Sequence, residues 1–151
     1  MVRSLHSIDA MHSEVIDIEL LETCARAAHD VVRAYRQGLG DLSQQCWRTA
    51  PDWQKQSARA RARCVLANPW IAPDDLHEQW MARMLAEGWK LGGAEDADKL
   101  EHPDVKPWHE LADEARMVNV LFAAVVRQME EAVRRKTPSE LPMSIAQSSV
   151  S

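Results

Sequence analysis

The chain lacks the features that mark membrane, secreted and nucleic-acid-binding proteins. No stretch reaches the length of an apolar membrane span, and Met1 to Met11 carry Arg3, His6 and Asp9 in place of the hydrophobic run of a signal peptide. There is no basic excess: 18 Lys and Arg stand against 23 Asp and Glu, a formal charge of −5, which argues against a generic DNA or RNA binder. The three cysteines, Cys24, Cys46 and Cys64, are odd in number, far apart and without a CxxC pair. That pattern suggests neither a disulfide framework nor a thiolate zinc centre and points to a reducing, cytoplasmic setting.

Catalytic vocabulary is equally thin. There is no G-x-S-x-G, no P-loop and no G-x-G-x-x-G, and Gly92-Gly93 has no helix start after it to make a phosphate cradle. His102, Asp104 and His109 are the nearest thing to a metal set, but Pro103 and Pro107 stiffen that segment and no H-x3-H helical pair exists. The expectation is therefore a protein that is not an enzyme, with no catalytic residue, metal site or cofactor.

What remains is ordinary globular material. Hydrophobic residues make up 46% and charged residues 27% of 151 positions, enough for one domain with a real core. From about Ser13 to Gln37, apolar residues recur at three and four residue steps, which predicts an amphipathic helix stopped by Gly38 and Gly40. A second helix is predicted to start at Thr49 to Asp52, spaced as a capping box, and to end before Asn68-Pro69. A third opens at Pro73-Asp74-Asp75 and ends at Gly88, and a fourth spans Asp113 to Arg135. Trp89–Leu91 and Val105–Trp108 read as short extended segments that pair antiparallel. The fold class predicted is mainly α, about four helices with a small two-stranded antiparallel ribbon. One domain over residues 13–136 would be flanked by a flexible arm at 1–12 and a disordered tail at 137–151.

One Phe and one Tyr accompany six tryptophans, five of which lie between Ala50 and Trp108. Trp53, Trp70 and Trp108 read as core, Trp89, next to a glycine and opening an extended segment, reads as structural before it reads as a stacking platform, and Trp80 is left open between core and platform. On the second helix Lys55, Arg59 and Arg63 are four apart and form a cationic stripe, which is either a solvated face or a phosphate-binding one. His77 and Arg83 lie three residues either side of Trp80.

The words Trp53-Gln54-Lys55-Gln56-Ser57-Ala58, His77-Glu78-Gln79-Trp80, Gly88-Trp89-Lys90-Leu91-Gly92, Glu101-His102-Pro103 and Val105-Lys106-Pro107-Trp108, in this order, resemble the ryanodine receptor (RyR) repeat domain. The resemblance covers roughly Leu20 to Met129. It occurs as paired repeats in the calcium-release channel and as single copies in small bacterial and bacteriophage proteins. The resemblance implies a RyR-repeat-like helical fold and a site for an adenine nucleotide between tryptophans of the Trp80 word. Leu91, Leu100 and Asn119 depart from the family pattern, and Met84 stands where the family has a cation, with Arg83 one position early.

Two functions follow as expectations. The first is a ligand-binding module for a nucleotide or cyclic nucleotide signal, a sensor or sequestering protein suited to a bacteriophage setting, with Trp80, Arg83, Trp89, Lys55, Arg59, Arg63 and His77 in the site. The second is a protein-interaction module, a homodimer in which exposed Trp80, Met81, Met84 and Trp89 bury against a partner.

Overall fold

A computed structural model of the protein describes the backbone of residues 3–136, with side chains from residue 18 onward. Four helices carry the fold: α1 (Arg3–Gly38), α2 (Asp52–Ala67), α3 (Pro73–Ala86) and α4 (Asp113–Arg135). Between α3 and α4 lie two strands, β1 (Lys90–Leu91) and β2 (Glu101–His102), and a 3-10 turn at Trp108–Glu110. No helix among the described residues is long and apolar enough to cross a membrane.

Helix α1 begins at Arg3, inside the segment read from sequence as an arm, and the predicted tail at 137–151 lies outside the described residues. The inward face of α1 reads Leu20, Leu21, Cys24, Ala25, Ala28 and Val32, two or three positions per turn, all buried. Its small residues let α4 and α2 approach closely; Val118, Phe122, Ala123 and Val126 of α4 and Ala58, Ala62 and Val65 of α2 fill the same core. α2 starts with Pro51 at its N-cap and no side-chain capping bond, so the Thr49 capping box does not form. The Thr49 hydroxyl instead meets Cys46 Sγ at 3.4 Å.

A second, smaller core joins Trp80 and Met84 of α3 to Trp89 and Val105, with Trp53 and Met81 packed against it. Gly88 makes this possible: its φ of +94° reverses the chain after α3 and brings Trp89 back over Met84, whose carbonyl accepts the Trp89 N–H at 2.9 Å. The strand pairing differs from expectation in orientation and in partner. β1 pairs parallel with β2, Lys90 opposite Glu101 and Leu91 opposite His102, and Trp108 opens the 3-10 turn. Residues 92–100 loop far enough to bring the chain back in the same direction, and an antiparallel bridge of Asp96 with Glu101 closes that loop. Gly92 is required by the close approach, since a Cβ there would sit 2.5 Å from Glu101 Cβ.

Trp70 is not core. It is 82% exposed on the turn between α2 and α3, with the Arg127 guanidinium 4.9 Å above its ring and donating to the Pro69 carbonyl.

Candidate functional site

The site is set by the helical period of α2. Ser57 and Arg61 are four residues apart and share one face, whereas Arg59 is two residues from each and points the other way. On the inward face the Trp80 indole N–H donates to Ser57 Oγ at 2.9 Å. One turn on, the Arg61 guanidinium lies 5.4 Å from the Trp80 ring centroid and 5.3 Å from that of Phe122. No hydrogen bond or ion pair from Arg61 to any described residue accompanies these ring contacts, and its Nε is buried without a partner. Burial pushes its pKa down to about 10, with Arg36 acting in the same direction and Asp104 against it.

Arg61 lines a cavity of about 650 Å³, enclosed by the C-terminal half of α1, the first turns of α2, the face of α3 around Trp80, the chain after β2 and the start of α4. Half-buried Tyr35 and Trp53 supply aromatic wall on two sides. Trp53 is held in turn by Trp89, ring centroids 4.7 Å apart. Arg36 enters from α1 with Asp41 3.8 Å away. Gln54 donates its amide to Glu95 at 3.3 Å, which fixes the amide orientation and leaves Gln54 Oε1 unpartnered. Asn119 does the same on α4: its amide donates to the Ala115 carbonyl at 3.3 Å and its Oδ1 has no partner.

The cavity histidines are committed to structure. His29 Nε2 donates to the Gln45 carbonyl at 2.8 Å and His77 Nε2 to that of Lys106 at 2.7 Å. His102 accepts the Asp104 backbone N–H on Nδ1, so Nε2 carries the proton and faces Glu95 at 3.4 Å. Among the described residues no group of three His, Cys, Asp or Glu side chains is arranged to hold a metal ion.

The residues singled out from sequence separate into two sets. Trp80 and His77 line the cavity, but Trp80 is only 8% exposed and its ring is covered by His77, stacked at 5.6 Å, by the edge of His102 and by Arg61. It is a wall, not an open platform. Lys55, Arg59, Arg63, Arg83 and Trp89 lie outside the cavity lining. Arg59 forms a two-pronged ion pair with Glu22 of α1 at 2.7 and 3.0 Å, and both Arg59 and Lys55 sit over Trp47. Arg63 is exposed, Arg83 donates to the Gln56 carbonyl at 3.1 Å, and Trp89 is buried in the small core. The interaction surface expected from Trp80, Met81, Met84 and Trp89 is absent for the same reason: three of these are buried and Met81 packs against them. Sequence reasoning missed Arg61 and Arg36, and the signal available for Arg61 was its place in the four-residue series Trp53, Ser57, Arg61.

Residues 71–130 match the RyR domain. No curated protein and no solved structure gives a match. The RyR match spans α3, both strands, the 3-10 turn and most of α4, and so includes His77, Trp80, His102, Asp104, Asn119 and Phe122 of the cavity wall. Arg36, Trp53 and Arg61 come from α1 and α2, outside the RyR-matched segment. The Trp53–Ala58 word of the resemblance also falls outside it.

Proposed function

We propose that this cavity binds a small, planar, anionic ligand without turnover, and that the ligand is a nucleotide or a nucleotide-derived signal. The observation that carries the reading is Arg61, a half-buried guanidinium with its Nε out of water, beside a cavity of about 650 Å³ and with no carboxylate or carbonyl bonded to it. A buried cation without a counter-ion is costly, and an incoming oxyanion relieves that cost while gaining charge-assisted bonds. Trp53 and Tyr35, half-buried on two sides of it, offer faces for a ring. A cavity of this size accommodates a mononucleotide, and the tied histidines favour binding over chemistry. Such a module acts as a cytoplasmic sensor of its ligand or as a sink that sequesters it.

Calorimetry with AMP, ADP, ATP and cyclic AMP tests the reading, together with thermal unfolding at saturating ligand. The expected result is affinity around the micromolar range for at least one of them, on the order of −8 kcal/mol. Arg61→Ala removes this binding and Arg59→Ala retains it. Equal binding by both variants, or none by the native protein to any of the four, refutes the proposal.

A further inference from the structure

We infer that the cavity discriminates by ligand charge, accepting a nucleoside monophosphate or a cyclic phosphodiester and rejecting the corresponding triphosphate. The inference rests on the reading of the cavity as a nucleotide site and adds to it a selection rule drawn from the charges of the wall. Two guanidiniums, Arg36 and Arg61, face four carboxylates, Asp41, Glu95, Asp104 and Glu114. Counting the histidines as neutral, 2 − 4 leaves the lining at −2.

The pairing of these groups sharpens the rule. Asp41 lies 3.8 Å from Arg36, and Glu95 is engaged by Gln54 and His102. Arg61 is therefore the cation of the lining with no carboxylate pair, while Arg36 keeps an unpartnered Nε beside its contact with Asp41. Asp104 and Glu114 are the carboxylates without a hydrogen bond or ion pair among the described residues, and Asp104 is close enough to act electrostatically on Arg61. One phosphate can pair with Arg61. Each further phosphate adds negative charge to a lining that is already net negative, and of its carboxylates the half-buried Asp41 and Asp104 are less screened by water than the exposed Glu95 and Glu114, so like charges repel most strongly beside them. Asp104 also presents acceptors for ribose hydroxyls or a base amino group, which both ligand classes carry, so it opposes only the added charge.

The test is calorimetry on the full chain with AMP, cyclic AMP and ATP, in magnesium-free buffer at constant ionic strength, repeated on Asp104→Asn and on the double variant Asp104→Asn/Glu114→Gln. Both substitutions keep side-chain shape and remove charge, and the backbone bond from Asp104 N to His102 is untouched. AMP or cyclic AMP should bind at least about tenfold more tightly than ATP, and the gap should narrow by about tenfold in the double variant. ATP binding as tightly as AMP overturns the inference, as does a gap that both variants leave unchanged. Failure of all three nucleotides to bind the native protein is a different result: it removes the nucleotide reading itself, and the selection rule with it.

Discussion

The Trp80 indole N–H and the Ser57 hydroxyl meet at 2.9 Å across the α2–α3 contact, both side chains buried. That bond ties the small tryptophan core to the helix that carries Arg61. Removing the acceptor with Ser57→Ala strands a buried N–H and is expected to cost about 1–3 kcal/mol. Trp80→Ala empties a large packed volume and is expected to cost about 3–5 kcal/mol, so it disrupts the fold and cannot serve as a clean ligand-binding knockout. Urea unfolding followed by circular dichroism measures both. A Trp80→Phe/Ser57→Ala double variant less destabilised than the sum of its single changes would establish the coupling.

Arg61 is expected to oppose stability in the free protein. Its guanidinium is partly desolvated between Trp80 and Phe122, its Nε buried without a partner and ring contacts as its compensation. Arg61→Met keeps the length and apolar stem, and should raise the stability of the ligand-free protein by roughly 1 kcal/mol while abolishing ligand-induced stabilisation. Thermal unfolding with and without nucleotide reads both effects in one experiment. A fall in ligand-free stability would assign Arg61 a structural role.

Much of the fold was legible in the sequence because its boundaries are local. Pro73 starts α3, Gly88 with its positive φ ends the turn after it, and α4 runs Asp113–Arg135 as its apolar period predicts. The site was less legible because it depends on which face of α2 turns inward. Lys55, Arg59 and Arg63 form a regular stripe that catches the eye, yet α1 supplies Glu22 to Arg59, Trp47 lies under Arg59 and Lys55, and Arg63 stays in solvent. Arg61, set between Ala60 and Ala62, looks like a solvated residue until α3 and α4 bring Trp80 and Phe122 to it. The two-residue strands carry too little pattern for periodicity to fix their partner, and Trp70 is exposed despite its size because it occupies a turn held from outside by Arg127.

The three cysteines should differ in reactivity. Cys24 is fully buried, burial pushes its pKa up to about 11, and its thiol points at the Val126 carbonyl. Cys46 is accessible, and its hydrogen bond with Thr49 holds its pKa below the usual thiol value. Cys64 donates to Gln79 Oε1 at 2.9 Å. Timed alkylation with iodoacetamide at neutral pH, read by peptide mass spectrometry, should modify Cys46 first and Cys24 only after unfolding. Early labelling of Cys24 would contradict the packing of α1 on α4.

The Glu22–Arg59 pair gives a pH signature with a definite sign. The hydrogen bond from Arg59, reinforced by its charge, holds the Glu22 carboxyl below its ordinary value. A depressed folded-state pKa means the unfolded chain binds the proton more readily, so the contribution is fully present above the unfolded pKa near 4.5 and is lost as pH falls through the lower folded value. Both side chains are more than a third exposed, so solvent screening limits the effect to about 0.5–1 kcal/mol. Glu22→Gln should therefore lower stability at pH 7 by that amount and flatten the acid limb of the stability profile between roughly pH 5 and 3. Chemical denaturation across this range checks it, and a native profile as flat as that of the variant would show that the contact between α1 and α2 does not rest on this charge pair.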